Sequence, residues 1–188
     1  MKKYLHIALM LLCVAIVSSS CKKDKDDPVD EVWKLGNEKA FQNKAADASF
    51  TKLEALTNDG HIFYKVLKPG DGERIFYTDT VQVYYKGCLV GDKDGNLLTD
   101  LSNVLKDGAC FDKNMFEDGE PAQFAVKGVI AGWQTALQYM RVGDRWEIWI
   151  PQELAYGKSG GTSSNGIYRP PYSTLVFDVE VVKKVTTK

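Results

Sequence analysis

Four separated runs of β-branched and aromatic residues constrain the fold of this chain more than any other feature. Thr80-Val81-Gln82-Val83-Tyr84-Tyr85 alternates in polarity, and in a strand successive side chains fall on opposite faces. His61-Ile62-Phe63-Tyr64-Lys65-Val66-Leu67, Arg145-Trp146-Glu147-Ile148-Trp149-Ile150 and Thr174-Leu175-Val176-Phe177-Asp178-Val179-Glu180-Val181-Val182 share its character. The first of these closes on Lys68-Pro69-Gly70-Asp71-Gly72, where proline and glycine chemistry predicts a turn. One segment differs: Val129, Ile130, Trp133, Ala136, Leu137 and Met140 recur at helical spacing, which predicts a helix from Val129 to Met140. The pattern predicts an α+β fold, an antiparallel sheet with one solvated face and one face covered by that helix. At 188 residues and 44% apolar content the chain can bury one good-sized core.

The segments before the first strand read differently. A basic start, Met1-Lys2-Lys3, precedes an apolar run from Leu5 to Val17. That run is shorter than the roughly 20 residues of a membrane span, so 1–20 reads as a signal peptide. The junction Ser18-Ser19-Ser20-Cys21 resembles a lipoprotein processing site, which implies a diacylated Cys21 and a cell-envelope location, lipid-anchored to the outer membrane. Residues 21–31, rich in Lys and Asp, read as a solvated tether. Trp33, Phe41 and Phe50 then stand in a stretch of helical bias, 32–60, broken by Gly36 and ended near Asn58-Asp59-Gly60; this predicts a helical lead-in packed against the main domain. With Cys13 leaving with the signal and Cys21 lipidated, Cys88 and Cys110 remain as an even pair in an oxidising compartment, bridged or as two buried thiols.

Several function classes drop out on composition. A net charge of −1 provides no clustered cationic surface for a phosphate backbone, which excludes nucleic acid as a partner. Gly157-Lys158-Ser159 suggests a phosphate loop, but the motif requires Gly five residues earlier and position 152 is Gln. Asp92-Lys93-Asp94-Gly95-Asn96 begins like a calcium loop, yet Leu97 holds the place of the required Gly, so a surface turn is expected. Only His61 remains after signal cleavage, too few imidazoles for a catalytic triad or a multi-histidine metal site. No cofactor or metal is implied.

What is left is a dense set of aromatics, and their order carries a resemblance. Val66-Leu67-Lys68-Pro69-Gly70-Asp71-Gly72, Val83-Tyr84-Tyr85-Lys86-Gly87, Phe111-Asp112, Phe124 and Gly128-Val129-Ile130-Ala131-Gly132-Trp133 come first. Met140-Arg141-Val142-Gly143-Asp144, Ile150-Pro151, Leu154-Ala155-Tyr156-Gly157, Pro170-Pro171 and Leu175-Val176-Phe177-Asp178-Val179-Glu180 follow. In this order they resemble the FKBP family of prolyl isomerases over most of the C-terminal two-thirds of the chain. The resemblance implies a bent antiparallel sheet wrapped around one short α-helix, occupying 61–186, with an insertion at 88–110 and a short N-terminal helical extension. It implies Trp133 as the floor of an apolar pocket, Val129 and Ile130 on one side, and Tyr85, Phe111, Phe124 and Phe177 as aromatic walls. Asp112, held close to Tyr85, and Tyr156 would form the polar rim, with the Ile130 amide as a second donor, and Ile167 or Tyr168 would cap the pocket. Ala122 departs from the pattern, standing where many members place an aromatic. Cys88 and Cys110 would be neighbours at the base of the insertion, where a disulfide could staple it. The activity implied is peptidyl-prolyl cis–trans isomerisation of proline-containing polypeptides, needing no metal or cofactor, with macrolide immunophilin ligands as possible occupants. The alternatives are a non-catalytic binding module or chaperone with the same pocket, and a purely structural lipoprotein.

Overall fold

A computed structural model describes residues 28–92 and 94–185. The signal peptide, Cys21 and most of the charged tether lie outside the described residues. Helix α1 runs Pro28–Gln42, already inside the stretch expected to be tether, and continues as a 3-10 turn, Asn43–Ala46. Proline suits a first helical turn, where its missing N–H would be unpartnered anyway. Trp33, Asn37, Ala40 and Phe41 are spaced to share one face, and all four are buried.

The sheet is antiparallel, in the order β1 (Thr51–Glu54), β2 (His61–Lys68), β6 (Arg145–Ile150), β9 (Leu175–Val185), β3 (Thr80–Leu89), β4 (Cys110–Asn114). Strand β5 (Ala122–Ala125) extends the same edge of β3, opposite Thr80 to Val83. A one-turn helix, α2 (Val104–Asp107), lies in the insertion, α3 (Ala131–Tyr139) follows β5, and a short hairpin pairs β7 (Gly161–Thr162) with β8 (Tyr168–Arg169). Helix α3 covers the concave face, where Trp133, Ala136 and Leu137 meet Val81, Val83, Ile148 and Val179 in the main core.

The structure differs from the sequence reading in three further places. The lead-in is not helical throughout: Thr51–Glu54 forms an edge strand paired with His61 to Tyr64, so the sheet begins before residue 61. Gly36 does not break α1. A Cβ there would collide with Leu97 of the insertion, so the glycine serves close packing between helix and insertion. The outer sheet face is not simply solvated, because α1 and the insertion cover part of it and enclose a second core of Phe41, Phe63, Cys88, Val90, Val104, Trp149 and Val176. Alternation in β2 and β9 marks two apolar faces as well as it marks one, since Phe63 and Val176 lie opposite in phase to Ile62 and Leu175. The Asp92–Asn96 segment is a turn, with Asp92 Oδ1 accepting from the amides of Asp94 and Asn96.

One buried carboxylate ties the turns beneath the sheet. Asp144 is 7% exposed, and its two oxygens accept from Gly70 N and Arg141 N, each at 2.6 Å. Asp144→Ala would leave both amides without an acceptor. We expect it to cost about 2–4 kcal/mol by chemical denaturation, with Asp144→Asn recovering part of the loss.

Candidate functional site

Trp133 projects from the first turn of α3 into a group of rings supplied by separate strands. Tyr85 from β3 stands 5.5 Å from it at 87°, Phe124 from β5 5.8 Å at 79°, and Phe177 from β9 5.3 Å at 83°. Tyr85 and Phe124 also meet edge to face at 5.6 Å, as do Phe111 and Phe177. Edge-to-face contact sets a ring's positive rim against a neighbour's negative face, and each such pair contributes about 0.5–1.5 kcal/mol beyond burial. Strand alternation delivers the rings: Tyr85 and Val83 on β3, and Phe177 and Val179 on β9, share the concave face. Gly87 lets the group close, since a Cβ there would lie 2.5 Å from Phe177 Cε1 and 2.8 Å from Phe111 Cζ.

These rings line a hollow of about 290 Å³, together with Asp112, Gly128, Val129, Ile130 and Tyr156. The volume is at the small end of ligand pockets. Helix α3 begins at Ala131, with Ile130 as its N-cap, so the Ile130 N–H is among the four that precede the helical ladder. The Tyr85 hydroxyl donates to the Asp112 carboxylate; burial first, then the Asp112 charge and this hydrogen bond, push the phenol well above its ordinary pKa. Tyr85 therefore stays protonated and holds Asp112 at the rim. Tyr156 is 39% exposed at the mouth.

Ile167 and Tyr168 do not line the hollow and are 38% and 57% exposed. They sit on the β7–β8 hairpin, where the inward residue is their neighbour Arg169, and a period of two sends Tyr168 outward. Arg169 is the residue that sequence reasoning missed. It is 7% exposed, with its guanidinium carbon 3.9 Å over the Tyr156 ring and 5.2 Å over the Phe111 ring. Its Nε has no hydrogen-bond partner. A buried cation held by two rings of the site braces Tyr156 from behind. Arg169→Met keeps the bulk but drops the charge, and should let the Tyr156 ring reorient faster. Ring-proton line shapes, measured by NMR beside Arg169→Lys, would check this.

Cys88 and Cys110 are register partners across β3 and β4, next to a bulge at Gly87. The expected disulfide is not formed: both are free thiols. Cys88 Sγ lies 3.9 Å from Leu105 O and Cys110 Sγ 3.6 Å from Asp112 O. A hydrogen bond from Cys88, aided by the Lys86 ammonium and opposed by burial, pulls the Cys110 thiol down to about 6, while the same bond and burial push Cys88 up. A lowered pKa means more thiolate as pH rises through it. Iodoacetamide should therefore modify Cys110 before Cys88, at a rate that climbs from pH 5 and levels off above pH 7, with peptide mass mapping locating the adduct.

Residues 72–182, more than half of the chain, match the family described as FKBP-type peptidyl-prolyl cis-trans isomerase. The FKBP-type 22 kDa peptidyl-prolyl cis-trans isomerase of Escherichia coli is 42% identical over 64% of this chain and 48% of its own length. FkpA of Escherichia coli is 37% identical over 88% of this chain and 50% of its own. This chain thus spans about half the length of those relatives. Among solved structures, FkpA from Escherichia coli superimposes with a TM-score of 0.60 at 30% identity, covering 98% of this chain and 73% of that one. A peptidyl-prolyl cis-trans isomerase from Pseudomonas syringae gives a TM-score of 0.63 at 26% identity, covering 86% and 99%. Ring cluster, sheet order and sequence match agree that this chain belongs to the FKBP-type peptidyl-prolyl cis-trans isomerase family.

Proposed function

We propose that this chain is a peptidyl-prolyl cis–trans isomerase acting on proline-containing polypeptides. The observation that carries the reading is the convergence of Tyr85, Phe111, Phe124 and Phe177 with Trp133 around one small hollow. An X-Pro bond rotates in tens to hundreds of seconds unaided, against a barrier of about 18–20 kcal/mol set by amide resonance. Twisting the amide reduces its charge separation. A dry aromatic hollow favours the twisted form over the planar one more than water does. Tyr156 and Ile130 line the hollow, and the Tyr156 hydroxyl and the Ile130 N–H would hold the carbonyls on either side of the proline. Lowering the barrier by about 4 kcal/mol would give roughly a thousandfold acceleration. Rotation breaks no covalent bond, so this chemistry asks for no nucleophile, metal or cofactor.

The same hollow would admit macrolide immunophilin ligands. The leader and the Cys21 junction support export and lipid anchoring at the outer membrane, and a relative carries the name Outer membrane protein MIP. Intact-mass analysis of the membrane fraction would detect acylation. The central test is a protease-coupled isomerisation assay on a short X-Pro peptide. Wild-type protein should accelerate rotation, and Asp112→Ala and Tyr156→Phe should each lose about tenfold. A wild-type rate equal to buffer would replace the enzyme with a non-catalytic binding module.

A further inference from the structure

Cys88 and Cys110 stand beside an irregularity in the pairing of β3 with β4. Gly87 opposes Asp112 and Cys88 opposes Cys110, so Phe111 has no partner on β3 and forms a bulge. The bulge accounts for a feature of the site that regular pairing would not give. Successive side chains of a strand leave on opposite faces, yet Phe111 and Asp112 both line the isomerase hollow. Cys110, one residue before the bulge, stays with Cys88 at the second core, beside Val104 and Leu105.

The same register sets the two sulfurs up to bond. Leu89 N donates to Ala109 O at 2.9 Å, which makes Cys88 and Cys110 the non-hydrogen-bonded pair next to it. Facing Cα atoms in such a pair stand about 4.5 Å apart, within the roughly 4.4–6.8 Å that a disulfide spans. The side chains already meet, since the Cys88 thiol donates to the Cys110 sulfur. Their exposure is unequal: Cys88 is fully buried and Cys110 only partly. The Lys86 ammonium, which donates to Leu105 O at 2.5 Å, also lies near Cys110 and favours its thiolate. An accessible thiolate backed by a buried thiol supplies what thiol–disulfide exchange needs, one sulfur to attack and a second to resolve.

We propose that Cys88 and Cys110 are a reversible dithiol–disulfide couple, oxidised by small-molecule disulfides, whose closure shifts the Phe111 bulge and slows the isomerase. In the first step the Cys110 thiolate attacks a disulfide RSSR: a Cys110–SR bond forms, the S–S bond of the oxidant breaks, and RS⁻ leaves. In the second, Cys88 gives its proton to solvent and attacks Cys110 Sγ, which forms the Cys88–Cys110 bond and releases a second RS⁻. The protein loses two electrons and the oxidant gains them. Closure brings the sulfurs from van der Waals contact to about 2.05 Å and draws the start of β4 towards β3. The bulge is where the strand yields, because Phe111 has no ladder partner, and it carries Phe111 and Asp112 with it. Asp112 then parts from the Tyr85 hydroxyl. The effect on turnover rests on the isomerase reading, whereas the thiol chemistry does not.

The test treats the full chain with glutathione disulfide at mildly alkaline pH and locates the linkages by peptide mass mapping. A linked Cys88–Cys110 peptide should form and should be lost again with dithiothreitol. Cys88→Ala should stop instead at glutathione carried on Cys110. Because misplacement by about 1 Å at a site costs up to a hundredfold, the oxidised protein should turn over a short X-Pro peptide at least about fivefold more slowly. Dithiothreitol should restore the rate. Cys110→Ala should turn over at one rate with and without oxidant, which separates this couple from the other cysteines of the chain. The Tyr85 ring signals in NMR should move on oxidation, a readout that needs no activity. No linked peptide, or Tyr85 signals unmoved by the linkage, would overturn the proposal, and so would an unchanged rate in an active protein. An untreated rate equal to buffer would instead remove the isomerase reading, and a linked peptide with shifted Tyr85 signals would leave the couple and its hold on the hollow standing.

Discussion

Trp133→Ala should give the largest combined loss of stability and activity of any single substitution in this chain. Trp133 is 4% exposed and is the shared neighbour of Tyr85, Phe124 and Phe177. Truncating a buried tryptophan costs about 3–5 kcal/mol, which for a domain of this size lowers Tm by on the order of 10 °C. The catalytic loss has a separate cause. Without its floor the hollow deepens and admits water, and water erodes the preference for the twisted amide. We expect kcat/KM to fall roughly a hundredfold or more, equal to about 2.7 kcal/mol of transition-state stabilisation. Trp133→Phe separates the two effects, because it keeps an aromatic floor and leaves a smaller cavity. It should retain most of the stability and lose about tenfold in rate. Thermal denaturation with the isomerisation assay run well below the lowered Tm decides the matter; a Trp133→Ala protein with native Tm and native rate would remove the hollow from the mechanism.

The pocket residues were legible in the sequence because their information is local and ordered. Tyr85 and Trp133 each sit in a segment whose own periodicity names its inward face, Phe177 lies in a strand apolar on both faces, and the chain order of these segments matches the family. Arg169 was not legible by the same route. Its inward position depends on where the β7–β8 hairpin pairs, and the loop between Tyr156 and Pro170 has no strong pattern from which to count register. The edge strand Thr51–Glu54 was hidden for a related reason: four largely exposed residues offer no apolar alternation, and their extended shape comes from pairing with β2. Gly36 misled because a glycine in a helix is a breaker only where its missing side chain is not filled, and here Leu97 fills it. In each case the deciding partner lies outside the residue's own segment, in a paired strand for Arg169 and Thr51–Glu54 and in the distant insertion for Gly36.

The most consequential of these distant partnerships joins α1 to the loop that carries Arg169, and Asn37→Ala should expose it. Asn37 is fully buried. Its Oδ1 accepts from Thr174 N at 2.7 Å, its carbonyl accepts from Thr174 Oγ1 at 3.0 Å, and its Nδ2 donates to Trp33 O at 2.9 Å. Trp33 Nε1 in turn donates to Ser173 Oγ at 3.2 Å, and Ser173 Oγ donates to Pro170 O at 2.6 Å, one residue from Arg169. Removing the Asn37 amide strands the buried Thr174 N–H, at a cost of about 2–3 kcal/mol. That energy falls on a segment whose opening need not unfold the sheet. The Thr174 amide should therefore exchange with solvent about thirtyfold faster, while amides in the centre of β3 and β9 change by less. Because the loosened segment leads back to Arg169 and so to Tyr156, turnover should fall several-fold with the Trp133 environment preserved, as tryptophan fluorescence would report. Asn37→Asp keeps the acceptor for Thr174 N but loses the donor to Trp33 O, and should recover part of the exchange protection. Should Asn37→Ala leave Thr174 as protected as in the native chain, α1 is packed on the domain without bracing its site.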